Sequence, residues 1–168
     1  MMNVIIAGSR GVSEQEVYAA VGACPWSGFI TTVVSGGARG ADAGGEKWAV
    51  DHSREIKRFE ADWDSRGRAA GPIRNEEMAR YSDGLIAIWD GESRGTGSMI
   101  GMARRYGLRG FIYRTDCALK EYIFEHGSLA GRWEWVEERA AILEFEGAFA
   151  RDEAERIAAS ELRQVLDW

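Results

Sequence analysis

Proline, cysteine and histidine are scarce in this sequence of 168 residues, and each appears only twice. The two cysteines, Cys24 and Cys117, lie far apart, so the chain has no cysteine framework of the kind that staples small secreted domains. The two histidines, His52 and His126, are not at metal-ligand spacing, and we expect no zinc site. No apolar run approaches the roughly 20 residues that span a bilayer, and residues 1–7 show no signal peptide. We therefore expect a cytoplasmic protein with reduced thiols and no membrane partner.

An excess of basic residues is missing throughout the chain. Residues 1–117 hold 15 Lys and Arg against 15 Asp and Glu, whereas residues 118–168 hold 6 against 12. The net charge of −6 thus belongs to the C-terminal third. Neither part contains the basic run that binding to duplex DNA usually needs. Nucleic acid is therefore not the favoured partner, although single arginines in loops could hold one small anion.

What the chain does have is an alternation of strand-like and helix-like segments, with 45% apolar residues overall. A capping box at Ser13 and Glu16 predicts the start of the first helix. The alternation predicts an α/β fold, with a parallel sheet and helices on both faces. The predicted strands are Asn3–Ala7, Phe29–Val34, Ile56–Phe59, Gly84–Trp89 and Gly110–Tyr113, and the later helices are about 41–51, 74–81 and 97–106.

The pattern changes after Thr115. Two helical stretches, Trp133–Phe145 and Asp152–Leu166, predict a helical hairpin. We expect residues 1–116 to form the α/β domain and residues 117–168 to form an acidic C-terminal helical extension. A short helix pair buries little core alone, so we expect it to pack on the main domain. Its predicted buried side consists of Trp135, Ile142, Phe145, Ile157 and Leu162.

Four short segments concentrate glycine, hydroxyl groups and arginine: Gly8–Arg10, Ser35–Asp42, Gly71–Asn75 and Gly91–Gly97. The first, second and fourth follow a predicted strand and lead into a helix. Because the carboxyl ends of parallel strands share one sheet edge, we expect these turns to converge there. Helix N-termini at that edge would present N–H groups and the positive end of the helix dipole to a phosphate. The candidate ligand-binding residues are Gly8, Ser9, Arg10, Ser35, Gly36, Gly37, Arg39, Asp42, Arg74, Asn75, Gly91, Ser93, Gly95 and Thr96.

Several of these residues also have a structural explanation. Asp42 either caps the following helix or binds a ribose hydroxyl. Ser93 and Thr96 either cap their helix or contact a phosphate. Arg74 is expected at a helix start, where the dipole disfavours a cation, which indicates a functional reason unless it is a surface arginine. Trp63 either stacks on a base or belongs to the core or a lid.

At the four segments the chain resembles the SLOG superfamily, which includes DNA-processing protein A and the LOG phosphoribohydrolases. Val33 to Asp42 resembles the ligand loop of DNA-processing protein A, and Arg74-Asn75 resembles its Arg-Asn element. Gly91 to Thr96 resembles the glycine-threonine loop of LOG proteins. The arrangement is most similar to the YspA-like branch, small proteins often found in bacteria and their phages. The resemblance covers about residues 3–115 and implies a Rossmann-like fold that binds a nucleotide or a nucleotide-derived ligand.

One position departs from the LOG pattern. LOG enzymes carry a glutamate three residues after the threonine of that loop, and here the residue is Met99. A thioether cannot perform the acid/base work of a carboxylate, so LOG-type cleavage is not expected. Glu92, Asp42 and Asp62 are the remaining carboxylates that could substitute.

We therefore expect the chain to bind a nucleotide-derived phosphorylated small molecule, as a sensor or binder in a bacterial or phage setting. Two alternatives stay open: an N-glycosidic or phosphoester hydrolase acting on such a ligand, and single-stranded DNA binding like that of DNA-processing protein A. The sequence identifies neither the ligand nor a cofactor. It is compatible with a homo-oligomer.

Overall fold

A single twisted sheet organises the computed structural model, which describes residues 1–116, 121–124, 150, 153–154 and 156–157. The spatial order of its six strands is β3-β2-β1-β4-β5-β6. The first five strands pair in parallel, and β6 pairs antiparallel with β5. The strands are β1 Met2–Gly8, β2 Ile30–Ser35, β3 Glu55–Arg58, β4 Gly84–Trp89, β5 Arg109–Arg114 and β6 Glu121–Phe124.

Helices cover both faces of this sheet. Side chains that alternate along a strand divide between two cores. Val4 and Ile6 of β1 join one apolar cluster with α1 and α2, whereas Ile5 and Ala7 join another with α4 and α5. The α/β, Rossmann-like fold class is thereby confirmed. The helices are α1 Glu14–Ala23, α2 Ala41–Asp51, α3 Trp63–Arg66, α4 Ala70–Tyr81 and α5 Arg94–Arg105.

The predicted helix starts agree with the structure at α1 and α2 and differ at α4 and α5. The capping box of Ser13 and Glu16 is confirmed, with both reciprocal hydrogen bonds present. Helix α4 begins at Ala70 rather than at Arg74, because a proline such as Pro72 is tolerated in the first turn, where its missing N–H needs no partner. Arg74 therefore lies one turn inside the helix, and the predicted conflict with the dipole at a helix start does not arise.

The sheet continues past residue 116. Strand β6 pairs with β5 from Gly110↔Phe124 to Tyr113↔Glu121, where no strand was expected from the sequence. The predicted hairpin 133–166 falls almost wholly outside the described residues, so it remains a prediction, as does the division at residue 116. No helix in the described part of the chain is long and apolar enough to cross a membrane.

Candidate functional site

A cavity of about 690 Å³ opens at the carboxyl edge of the parallel strands. It lies where the strand order reverses, between β1 and β4, which is the usual ligand crevice of open α/β sheets. The residues after β1, β2 and β4 line it, together with the first turns of α4 and the short helix α3. The topology thus gathers segments that are distant in sequence around one space.

The first glycine segment is built into the sheet edge. A Cβ atom at Gly8 would lie 2.2 Å from the carbonyl oxygen of Ile88, so only glycine allows β1 and β4 to approach here. Ser9 is buried; its N–H donates to the Ile88 carbonyl oxygen at 3.1 Å, and its Oγ accepts from Asp90 N–H at 3.4 Å. Arg10 follows, exposed, at the cavity wall. Ser9 therefore ties the two central loops together, and Arg10 is left available to the cavity.

The second segment folds around a buried carboxylate. Asp42 lies in the first turn of α2, and its Oδ2 accepts the N–H groups of Gly36 at 3.0 Å and Ala38 at 3.3 Å. Burial raises the pKa of the Asp42 carboxyl, although the two loop N–H groups and the Arg74 charge pull it down. The sequence suggested that Asp42 either caps α2 or binds a ribose hydroxyl. In the structure its carboxylate instead fixes the conformation of the glycine loop that precedes α2.

Arg74 braces the same loop from helix α4. Its Nη1 donates to the Gly36 carbonyl oxygen, and its Nε donates to Asn75 Oδ1 at 3.1 Å. A Cβ atom at Gly36 would lie 1.8 Å from that Nη1, so glycine is required for the guanidinium to lie there. These hydrogen bonds use two of the five N–H donors of an arginine, and the side chain lines the cavity. Arg74 is thus both a structural brace and a cation at the cavity wall.

The fourth segment is organised by Asp90, which is not among the candidate residues predicted from the sequence. Asp90 Oδ1 accepts the N–H groups of Glu92 at 3.0 Å and Ser93 at 2.7 Å. Burial pushes the pKa of Asp90 up, but the hydrogen bonds that it accepts outweigh burial and leave the pKa below its ordinary value. Thr96 Oγ1 donates to Ser93 Oγ at 3.0 Å, and neither hydroxyl caps the helix.

Two helices begin at this cavity with N-termini that no side chain caps. The N-cap positions of α2 and α5 are Gly40 and Ser93, and neither makes a capping side-chain hydrogen bond. Helix α4 differs, because it continues from a short 3-10 helix, Gly67–Ala69, whose Gly67 carbonyl oxygen accepts the Ala70 N–H. Helix α1, which does not line the cavity, has a complete capping box instead. Uncapped N-termini leave backbone N–H groups and the positive dipole ends available to an anion.

The charged lining combines four arginines with two carboxylates. Arg74 is partly buried, whereas Arg10, Arg68 and Arg94 are exposed at the cavity wall. The carboxylates are Asp42 and Asp90, both of which accept loop N–H groups. The excess of cationic side chains favours an anionic ligand.

Most of the predicted site residues meet at this cavity, but five do not line it. Ser35 is buried and donates to Glu46 Oε1 at 2.8 Å while accepting from Gly37 N–H at 3.0 Å. Gly36 lies behind Arg74, and Gly37 and Arg39 are exposed outside the cavity. The predicted residues that line the cavity are Gly8, Ser9, Arg10, Asp42, Arg74, Asn75, Ser93, Gly95 and Thr96.

Gly91 is the fifth residue outside the cavity, and its surroundings give a structural reason for glycine. Its φ is +78°, and a Cβ atom there would lie 2.7 Å from Nη2 of Arg114 and 2.8 Å from Oδ2 of Asp116. Arg114 is buried at the end of β5 and forms a two-pronged ion pair with Asp116. Gly91 makes room for this pair rather than for a ligand.

The lining also includes residues that the sequence analysis missed or left undecided. Met99 is 2% exposed, packs in the apolar core beside α4, and lines the cavity at the position of the LOG glutamate. Trp63 lies at the rim and is 57% exposed, so it is not a core residue. Asp90 and Arg94 adjoin the strand end at the reversal point, a position that could have revealed them. The lining residues not selected from sequence are Ala7, Gly11, Ala38, Trp63, Arg68, Gly71, Pro72, Met78, Asp90, Arg94, Ser98 and Met99.

Metal chemistry gains no support from the part of the chain that the structure describes. No group of three or more His, Cys, Asp or Glu side chains there could hold a metal ion. Cys24 is buried with a free thiol, and burial raises its pKa to about 11. Cys117 lies outside the described residues.

Comparison with known proteins identifies the family. A family model described as "YAcAr: YspA, cpYpsA-related SLOG family" matches residues 2–65, from β1 into α3. The chain is 34% identical over 116 residues to the "Gene 61 protein" of Mycobacterium phage D29, across 64% of this chain and 93% of the phage protein. No solved structure matches it. Membership of this family suggests nucleotide-related binding or processing. With its glycine segments gathered at the reversal point of a parallel sheet, the chain belongs to the YspA, cpYpsA-related SLOG family.

Proposed function

We propose that this protein binds a nucleotide or a nucleotide-derived phosphorylated ligand, as a sensor or binder in a bacterial or phage cytoplasm. The observation that carries the proposal is the cavity of about 690 Å³ at which two uncapped helices, α2 and α5, begin and which four arginines line. Its volume lies within the range of small-molecule sites. The match to a phage protein supports the phage setting.

A phosphate would lie at the N-terminal ends of α2 and α5. The N–H groups of the first turns of these helices lack intrahelical partners, and Thr96 adds a hydroxyl group there. Arg10 and Arg94 would supply charge-assisted hydrogen bonds from exposed positions, with little rearrangement of the fold.

The first test is to identify small molecules that co-purify with the protein by mass spectrometry, followed by calorimetry with nucleoside mono- and diphosphates. Arg10→Ala is the informative variant, because Arg10 lines the cavity yet is exposed and braces no loop in the described residues. Losing one charge-assisted hydrogen bond should weaken binding about 10- to 150-fold. The matched control is Arg54→Ala, an exposed arginine just before β3, at the other edge of the sheet. Equal affinity in both variants would reject this assignment.

A hydrolase acting on the same class of ligand is the second candidate. The observation that favours it is that two carboxylates, Asp42 and Asp90, line the same cavity and could act as acid and base toward a bound ligand. Release of free base or phosphate, lost in Asp90→Asn, would support turnover, whereas stable retention of intact nucleotide supports a binder.

Single-stranded DNA binding is the weaker alternative. Residues 1–117 carry no net charge and the remainder is acidic, so the long-range field does not attract a polyanion. A DNA binder would retard oligonucleotides in a gel-shift assay, and its affinity would fall steeply as the salt concentration rises. A protein that binds only mononucleotides would not retard them.

A further inference from the structure

Trp63 stands apart from the other tryptophans of the described residues. Trp26 and Trp48 are 3% and 7% exposed, and Trp89 packs partly buried against the core beside α5. Trp63 is 57% exposed and lies on the wall of the cavity. A large indole left half in water, beside a polar cavity, gains little from the fold itself.

The segment that carries Trp63 is held by its own local hydrogen bonds. Helix α3 contributes no buried residue, so packing does not fix it. Instead, the Asp62 carboxylate caps it by accepting Ser65 N–H at 3.1 Å. The Asp62 cap, rather than burial of the Trp63 ring, therefore stabilises the conformation of this segment.

Helix α4 leaves space for the indole. A Cβ atom at Gly71 would lie 3.3 Å from Cη2 of Trp63, so the ring edge lies against the first turn of α4 at a residue without a side chain. Pro72 and Arg68, both exposed, line the cavity beside it. The rim between α3 and the start of α4 therefore combines an indole, a proline ring and a guanidinium.

The cavity wall thus has two chemical characters. The N-terminal ends of α2 and α5 offer N–H groups and Thr96, which suit an anion. The rim offers the exposed indole ring of Trp63. A ligand that satisfies both has a phosphate at one end and a flat aromatic ring at the other.

We propose that Trp63 stacks on the base of the bound nucleotide and is the main determinant by which this cavity prefers a nucleotide over a sugar phosphate. The inference rests on the proposed function and adds an orientation to it, with the phosphate toward α2 and α5 and the base at the α3–α4 rim. An indole can stack on any of the four bases. Affinities for nucleotides with different bases should therefore differ less than the affinities for a nucleotide and for a sugar phosphate that lacks a base.

The test is calorimetry with two probes, AMP and ribose 5-phosphate, on the full chain. Wild-type protein should bind AMP more tightly. Trp63→Ala should weaken AMP binding about 5- to 150-fold and leave ribose 5-phosphate unchanged, because stacking contributes only to the base. Trp63→Phe should restore most of the affinity for AMP. Phe29→Ala is the matched control, since Phe29 is 61% exposed and lies just before β2, at the opposite edge of the sheet.

The outcomes separate this inference from the proposal beneath it. Equal binding of both probes by the wild type, with no effect of Trp63→Ala, overturns the stacking role and leaves phosphate binding intact. Binding of neither probe, nor of the other nucleoside mono- and diphosphates, overturns the proposed function and the stacking role together. Melting temperatures of all variants accompany the titrations, and a fold-wide loss in Trp63→Ala alone would count against the inference, because an exposed recognition residue should not stabilise the fold.

Discussion

The guanidinium of Arg74 lies against Gly36 so closely that no side chain at residue 36 could share its position. The guanidinium of Arg74 donates to the Gly36 carbonyl oxygen, and a Cβ atom at Gly36 would lie 1.8 Å from Nη1 and 2.4 Å from Cζ of Arg74. Asp42 completes the arrangement by accepting Gly36 N–H at 3.0 Å. The glycine loop is therefore held from two helices, α2 and α4.

Replacing Gly36 with alanine should displace the guanidinium rather than the backbone. The side chain of Arg74 is flexible, so the fold survives, but its hydrogen bond to the loop is lost and its charge moves away from Asp42. We expect the free energy of unfolding to fall by about 1–3 kcal/mol in Gly36→Ala, measured by denaturant or thermal unfolding.

Gly22→Ala is the matched control for that variant. Gly22 lies in α1, and a Cβ atom there would meet no heavy atom within 4 Å, so alanine should be neutral or stabilising by up to about 1 kcal/mol. Equal effects of the two substitutions would contradict the brace between Arg74 and Gly36.

How far the sequence predicts this site depends on the range of the interactions involved. Strand periodicity and the capping box at Ser13 are local signals, and they predicted β1, β4 and α1 closely. The partner of Arg74 is 38 residues away in sequence, so no local pattern could distinguish a brace from a ligand contact. The same holds for Gly91, because the ion pair that requires glycine there lies at the end of β5, after the next helix of the chain. Rules for glycine-rich loops find the segments, but tertiary contacts decide which residues line the cavity.

Ionisation of the Asp42 carboxyl should weaken the native state, so the protein should gain stability from Asp42 as the pH falls. Burial raises its pKa above the ordinary value of 3.8, so the native state holds the proton more tightly than the unfolded chain. Lowering the pH through the raised native pKa, toward 3.8, therefore stabilises the native state. We therefore compare the free energy of unfolding of the wild type with that of Asp42→Asn. The difference, wild type minus variant, should rise as the pH falls from the raised native pKa toward 3.8.

Asp62→Asn gives a control of opposite sign. The hydrogen bonds from Ser65 lower the pKa of Asp62, so its stabilisation is present above 3.8 and is lost as the pH falls through the lowered value. The corresponding difference for Asp62 should fall in acid. If the two differences in free energy of unfolding change with pH in the same direction, the burial of Asp42 does not cause the pH dependence seen with Asp42→Asn.

The ion pair behind Gly91 should contribute to stability. Arg114 is buried, and its Nε and Nη2 donate to the two carboxylate oxygens of Asp116 at 2.6 and 2.5 Å. The side chain of Asp116 is 34% exposed, which weakens the interaction by solvent screening. We expect Asp116→Ala to lower the free energy of unfolding by about 1–2 kcal/mol. Glu14→Ala, which breaks an exposed pair with Lys47, should lower it by less than about 1 kcal/mol, and an equal loss would contradict the distinction.

Hydrolysis of nucleoside monophosphates of the LOG type should be absent or very slow. Met99 takes the place of the LOG glutamate and is buried in the core beside α4. General acid/base groups typically supply about 10²- to 10⁴-fold in rate, and a thioether supplies none of it. Incubation of purified protein with AMP, followed by chromatography for adenine, checks this. Robust adenine release by the wild-type protein would contradict this prediction.

The thiol of Cys24 should be almost inert in the native protein. Cys24 is 2% exposed, and burial raises its pKa to about 11, so only about one thiol in a thousand is ionised at pH 8. The measurement uses Cys117→Ser, which leaves Cys24 as the remaining cysteine of the chain. Alkylation at pH 8 should be slower in native protein than in urea by a factor of about 100 or more, because unfolding restores both access and an ordinary pKa. Rapid labelling of the native variant, at the rate found in urea, would mean that the core between α1 and β2 opens readily, and the buried position of Cys24 would then be wrong.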